Sequence, residues 1–312
     1  MVRTLGDIVE KVREKRNSLV VAGGNAPTVI DAIARGVREG IVDATLVGEE
    51  EEIIRLLEAH GIDSRLWKIM DEKEDAAMAS RSVELVRMGQ ANILMKGLIS
   101  TADYTRAILH KKSGLVKNGG LLTHVTVIQV PTYHKLLIVS DVAIIIHPDL
   151  SQKIAMLQSC VEIARALEIP RPKVAIISCV EKPSFKIDST VEASIIKKMA
   201  NRGQIVGVEV DGPLAIDLAV SKRCAEEKKF ESSVAGDSDI LIFPDICSAN
   251  VFFKTLTNLA DARIAAVVVG ASVPCILTSR ADTQESKFFS IALAALLSKQ
   301  DRREDDKKRR ER

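Results

Sequence analysis

Three clusters in the sequence set hydroxyl, carboxylate and cationic side chains just beyond an apolar run. In the first, the run 92–95 leads into Lys96-Gly97-Leu98-Ile99-Ser100-Thr101-Ala102-Asp103-Tyr104-Thr105-Arg106. Ser100 or Thr101 can cap a helix beginning there, and the unpaired N–H groups of its first turn favour an anion. Lys96 stands at the C-terminal end of the expected strand, where open α/β sheets bind ligands. Arg106 follows one to two helical turns later, with a side chain long enough to reach back toward the anion. A plain capped helix with surface cations fits this spacing too. In the second cluster, Thr278-Ser279-Arg280-Ala281-Asp282-Thr283 follows the run 275–277. A hydroxyl beside a guanidinium suits a phosphate or a developing oxyanion, since both side chains donate hydrogen bonds. A turn with an aspartate cap is the alternative. In the third, Pro244 stops the run 240–243, and Asp245, Asn250 and Lys254 follow. Asn250 and Lys254 are four apart and share a helix face, an arrangement that a turn and a capped helix also explain. His124 heads a strand after Gly119-Gly120 and is the imidazole best sited for proton transfer, with a structural histidine as the alternative.

Other chemistries find little support. The remaining histidines (60, 110, 134, 147) lie on unconnected elements without a His-x-x-x-His spacing, and no metal site is expected. The five cysteines (160, 179, 224, 247, 275) contain no Cys-x-x-Cys pair and read as buried structural thiols in a reducing compartment. Neither a Gly-x-Gly-x-x-Gly turn after a strand nor a P-loop occurs. Gly23-Gly24-Asn25-Ala26-Pro27 reads as a tight turn into a helix, able to approach a ligand with its backbone.

Composition narrows the partners. Of 312 residues 46% are hydrophobic, which excludes a disordered chain, and 3% are aromatic, which argues against base or sugar stacking. The net charge is +2, and outside the mixed-charge tail 301–312 the two signs are equal in number. No nucleic-acid or membrane footprint is therefore expected, and an anionic ligand must be met by a local site. Residues 1–10 read as an amphipathic helix rather than a leader, and the apolar stretch 264–279, interrupted by Gly270 and Pro274, falls short of the ~20 residues of a bilayer span. A cytoplasmic location follows as the expectation.

The elements that must position these clusters alternate. Strands are expected at 18–21, 44–47, 92–95, 125–129, 136–146, 173–177, 206–210, 240–243, 265–269 and 275–277, and helices at 27–39, 49–60, 71–88, 150–167 and 189–201. Continuous apolar runs such as Val267-Val268-Val269 suit strands covered on both faces, hence a mostly parallel α/β sheet. Pro131-Thr132-Tyr133-His134 separates two strand-like runs and predicts a hairpin. The tail after 299 reads as a frayed, solvated helix end.

Taken in order, several stretches resemble the phosphate acetyl/butyryltransferase family, and its phosphate butyryltransferase branch in particular. They are Lys96-Gly97-Leu98 with Ser100-Thr101-Ala102-Asp103, Leu122-Thr123-His124-Val125, 143–152, Val180-Glu181-Lys182, 199–205, 210–215, 236–241 with Phe243-Pro244-Asp245, and Leu277-Thr278-Ser279-Arg280-Ala281-Asp282. The resemblance spans about residues 5–298. It implies two α/β domains with mostly parallel sheets and a cleft between them, the second (124–270) inserted in the first (1–123 and 271–312). It implies the reaction acyl-CoA + phosphate ⇌ acyl phosphate + CoA, with CoA and phosphate as substrates and no cofactor, in a homo-oligomer, a dimer or larger. By the family pattern Ser279 matches the serine near the carbonyl oxygen, Arg280 the arginine that holds phosphate, and Arg106 an arginine linked to CoA or phosphate.

One position departs from the pattern. Acetyl-specific members carry an aspartate seven residues after that serine, assigned as the base for the CoA thiol; Ser286 stands there instead. Asp282, Glu285 and His124 are then candidate bases, and the departure favours butyryl or branched-chain substrates. Two other readings stay open. One is an acyl-CoA-binding protein with reduced catalysis. The other is an oxidoreductase like the decarboxylating dehydrogenases, which needs an aspartate cluster and a cofactor loop that the sequence lacks.

Overall fold

The computed structural model of the chain describes residues 2–116, 120–279 and 282–298. Its strands in chain order are β1 (Asn17–Ala22), β2 (Val42–Gly48), β3 (Lys68–Asp71), β4 (Ile93–Lys96), β5 (Thr123–Gln129), β6 (Leu137–Ser140), β7 (Lys173–Ile177), β8 (Glu209–Leu214), β9 (Ile240–Ile242), β10 (Arg263–Val269) and β11 (Cys275–Ile276). The helices are α1 (Leu5–Val12), α2 (Pro27–Arg38), α3 (Glu50–Ala59), α4 (Asp75–Arg87), α5 (Thr101–Leu109), α6 (Leu150–Ala166), α7 (Asp188–Asn201), α8 (Ile216–Val220), α9 (Lys222–Glu227), α10 (Ile246–Leu259) and α11 (Gln284–Leu297).

The elements fall into two compact units. The first comprises Ile8–Gly120 and the chain from Ala266 on; the second comprises Met1–Asp7 and Leu121–Ala265. Residues 1–7, which the sequence reading assigns to the first unit, join the second because backbone bonds tie them there. The Val2 N–H donates to the Leu167 carbonyl (3.2 Å) and the Leu5 N–H to Gln129 Oε1 (2.9 Å).

In the first unit the strand order is β3-β2-β1-β4-β11-β10, parallel throughout except for β10 against β11. Leu19 to Ala22 of β1 and all of β4 are buried, as strands covered on both faces require. Helices α2 and α11 pack together, with the Arg35 guanidinium 3.8 Å from the centre of the Phe288 ring. In the second unit the order is β5-β6-β9-β7-β8. Only β5 runs antiparallel to its neighbour, with Val125 opposite Ser140, so the hairpin expected around Pro131 is present. Its core joins Ile128, Val139, Ala175 and Leu241 from four adjacent strands to Phe243, whose ring lies 5.1 Å from that of Phe252.

The alternating α/β reading holds, with local corrections. The run 136–146 is a strand only to Ser140, because Asp141 turns its carboxylate back onto the N–H groups of Ala143 and Ile144. The strand expected at 206–210 lies at Glu209–Leu214, after the positive-φ turn at Gly207. The helix expected from 71 begins at Asp75, since Asp71 closes β3, an edge strand whose half-exposed pattern gave no apolar run. Cys179 and Cys247 are exposed and Cys224 is half-buried, rather than buried. The tail expectation lies outside the described residues.

Candidate active site

Strands β1, β4 and β11 are parallel neighbours, so the segments leaving their C-terminal ends emerge side by side in the first unit. The first two segments touch through the backbone. The Gly97 N–H donates to the Ala22 carbonyl (2.8 Å) and the Leu98 N–H to the Gly23 carbonyl (2.7 Å). No side chain fits between them: a Cβ on Gly97 would lie 1.9 Å from the Gly23 oxygen. Gly23 itself has φ +79°, a conformation that favours glycine.

Lys96 is 4% exposed, and its ammonium donates to the carbonyls of Gly97 (3.1 Å) and Ile99 (3.0 Å). It therefore ties the loop that it enters. Ser100 caps α5: its Oγ accepts the Asp103 N–H (3.0 Å) and donates to the Asp103 carboxylate (2.7 Å). The Ser100 N–H is held by Asp75 (2.8 Å). Thr101, exposed, opens the helix, and Asp103 forms an ion pair with Arg106. Tyr104, fully buried, sets its hydroxyl 3.1 Å from the Leu94 carbonyl and 3.2 Å from that of Ile276, joining α5 to both β4 and β11. Burial pushes this phenol well above its ordinary pKa, so it stays a neutral donor.

The segment leaving β11 closes on itself. The Ser279 N–H donates to Asp282 Oδ2 (2.7 Å), and the Asp282 N–H returns to the Ser279 carbonyl (3.2 Å). Ser279 is exposed; Arg280 lies outside the described residues. Thr283 caps α11, accepting the Ser286 N–H (3.1 Å), with the two hydroxyls 3.0 Å apart. Ser286 thus serves the cap. Behind the turn, Lys287 is buried and donates to the Asp282 carbonyl. Sequence reasoning passed over it because a lysine in the first turn of a helix reads as solvated.

Beside α5 opens a cavity of about 790 Å³ lined by arginines 81, 87 and 106, with Glu84, Asp103 and His110 among the other groups. Arg81 pairs with Glu84 and Arg106 with Asp103; among the described residues Arg87 forms no ion pair.

The other sequence candidates belong to the second unit and gather at the C-terminal ends of β6 and β9. Asp245 caps α10 by accepting the Ser248 N–H (2.8 Å). Asn250 donates to the Val142 carbonyl (3.0 Å), and Lys254 is exposed. His124 is 4% exposed, with Nδ1 3.4 Å from Thr126 Oγ1. Its backbone N–H donates to Asp141 at 2.8 Å, and that carboxylate also accepts from the Thr123 hydroxyl and the backbone N–H groups of Ala143 and Ile144. Asp141 organises this edge and was not among the candidates, although a lone carboxylate inside an apolar run is the signal that marks it. Among the described residues no group of three or more His, Cys, Asp or Glu side chains is arranged to hold a metal ion, and no helix is long and apolar enough to cross a membrane.

Comparison with known proteins agrees with this architecture. The family described as phosphate acetyl/butaryl transferase matches residues 3–84 and 77–295. The phosphate butyryltransferase of Clostridium acetobutylicum is 40% identical over 299 residues, 96% of this chain and 99% of that protein. The phosphate acetyltransferase of Thermotoga maritima is 41% identical over 294 residues, 94% and 99% respectively. The crystal structure of a branched-chain phosphotransacylase from Enterococcus faecalis V583 superposes with a TM-score of 0.79 at 29% identity, covering 91% of this chain and 100% of that one. With a family match over most of its length and relatives of this identity end to end, the chain belongs to the phosphate acetyl/butaryl transferase family.

Proposed function

We propose that this acyltransferase interconverts a short acyl-CoA, butyryl or branched-chain, and phosphate with the acyl phosphate and CoA. The observation that carries the reading is the side-by-side C-terminal ends of β1, β4 and β11, where the capped start of α5 and the Ser279 turn stand on adjacent strands. In the reaction a phosphate oxygen attacks the thioester carbonyl carbon and the carbonyl oxygen gains negative charge. The C–S bond then breaks, and CoA leaves as a thiolate that takes up a proton. The Ser279 hydroxyl is the donor to the developing oxyanion, and Arg280 neutralises phosphate. Arg106 and Arg87, on the wall of the 790 Å³ cavity, meet the phosphates of CoA. Phosphate and oxyanion charge are answered by these donors, without a metal or prosthetic group.

Ser286 supports the butyryl or branched-chain choice, because its N–H and hydroxyl are engaged with Thr283 and no carboxylate stands there. A thiol of ordinary pKa, ~8.5, needs little help to lose a proton in the reverse direction. Relatives named for butyryl and branched-chain substrates support the same choice, and the 41% identical relative named phosphate acetyltransferase makes acetyl-CoA the competing substrate. A homo-oligomer in the cytoplasm completes the proposal. The test is CoA release from acetyl-, propionyl-, butyryl-, isobutyryl- and isovaleryl-CoA, each with and without phosphate. Phosphate-dependent release, fastest with the four- and five-carbon chains, is expected. CoA binding without turnover of any chain would replace the reading with an acyl-CoA-binding protein.

A further inference from the structure

Lys287 is an unusual residue for its position. It is 2% exposed on α11, and the residues that follow it, 288–295, are buried as well. An ammonium taken out of water costs several kcal/mol unless it is bonded and charge-compensated. Here both compensations come from Asp282. The Lys287 ammonium donates to the Asp282 carbonyl, and the Asp282 carboxylate is near enough to favour its charge. Desolvation outweighs that help and lowers the lysine pKa from its ordinary value. Asp282 in turn holds Ser279 twice, by its carboxylate on the Ser279 N–H (2.7 Å) and by its own N–H on the Ser279 carbonyl (3.2 Å). One buried cation therefore anchors a residue that brackets the turn from both ends. The strand feeding that turn, β11, ends at Ile276, so Ser279 lies beyond the strand pairing.

We infer that Lys287 is a positioning residue: with Asp282 it forms a buried latch that fixes the Ser279 turn against the start of α11. Asp282 acts in it as a clamp rather than as the base for the thiol. Because the clamp occupies the Ser279 N–H, the role of Ser279 falls to its hydroxyl. A lysine that only filled space would be replaceable by methionine, which has similar length and no charge. The latch requires the charge.

The latch has a readout that needs no substrate. Amide hydrogen exchange in the full-length Lys287→Met protein should show faster exchange for the peptide covering 278–283, at least tenfold at Ser279, with 288–297 still protected. Lys287→Arg should recover much of that protection. The kinetic arm rests on the proposed transferase activity. Lys287→Met should lower kcat roughly 10- to 100-fold, as a misplaced reacting group does, while KM for acyl-CoA changes less than about twofold. In an Asp282→Ala background, which removes both the carboxylate on the Ser279 N–H and the charge that favours the ammonium, the same substitution should cost much less than it does in the wild type. Wild-type exchange at 278–283 together with wild-type kcat in Lys287→Met overturns the inference, and so do fully additive effects in the double variant. If Lys287→Met does not fold, Asp282→Ala decides, since it removes the acceptor of the Ser279 N–H and unchanged exchange at Ser279 there is equally fatal. A wild-type enzyme inactive on every acyl-CoA refutes the transferase reading alone, and the exchange measurement still judges the latch.

Discussion

Replacing Gly97 by alanine probes the contact on which the site edge depends. The added Cβ would sit 1.9 Å from the Gly23 oxygen and 2.8 Å from the Gly23 carbonyl carbon, both backbone atoms. A tolerable carbon–oxygen contact is about 3.3 Å, so the β1 and β4 loops must part by roughly 1.4 Å. That separation breaks the bonds from Gly97 to Ala22 (2.8 Å) and from Leu98 to Gly23 (2.7 Å). Two hydrogen bonds at about 1 kcal/mol each, with an overpacking cost of about 1–3 kcal/mol, give a loss of roughly 3–5 kcal/mol. The same displacement moves the start of α5, and a shift of about 1 Å at a reacting site costs on the order of 100-fold in rate. The assay is a pair of measurements on Gly97→Ala: urea unfolding, and phosphate-dependent CoA release at saturating substrate. Gly6→Ala is the control, because its Cβ would meet only Thr4 Oγ1 at 3.5 Å and alanine favours a helix. A Gly97→Ala enzyme with wild-type stability and kcat would refute the close approach and the placement of the site beside it.

Ser279→Ala should lower kcat roughly 100-fold or more with little change in the phosphate KM, whereas Arg280→Ala should raise the phosphate KM and lower kcat; unchanged kinetics in both would remove the site assignment. Tyr104→Phe strips one hydroxyl from between two buried carbonyls and should cost about 1–2 kcal/mol in urea unfolding, with a fall in kcat as β11 loosens. An undiminished midpoint would show that the hydroxyl joins nothing. In the second unit, burial raises the Asp237 pKa, but bonds from Lys173, His134 and Lys135 outweigh it and hold the carboxyl well below its usual value. A depressed carboxyl pKa stabilises the fold above the unfolded value near 4 and loses that contribution as pH falls below it. Asp237→Asn should therefore be less stable at pH 7 but lose less stability than the wild type between pH 4 and 2, and parallel acid limbs would contradict the network.

The sequence made some features legible because a single local rule governed them. Runs such as Leu19-Val20-Val21 need cover on both faces, and the strand expected at 18–21 is β1, Asn17–Ala22. Pro131 and its neighbours forced the β5–β6 hairpin, and Ser100 and Asp245 stood where caps stand, whereas α11 is capped by Thr283 and not by the aspartate beside it. Less legible were residues whose partners are distant in sequence or whose type argues against their location. Lys96 carried the look of an anion ligand, yet its ammonium closes its own loop. Asp141 interrupted an apolar run and was absorbed into a strand, although it is the acceptor that gathers Thr123, His124, Ala143 and Ile144. Strand β3 has no periodicity strong enough to be read, because an edge strand with charged ends needs only its neighbour's hydrogen bonds.

Acyl transfer to phosphate shows itself in the formation of the new P–O–acyl bond. Butyryl-CoA and inorganic phosphate would be incubated with the enzyme and followed by phosphorus NMR alongside a thiol assay. An acyl phosphate resonance should grow one for one with free CoA in the wild type and be strongly suppressed in Ser279→Ala. Free CoA accumulating without acyl phosphate would contradict acyl transfer to phosphate.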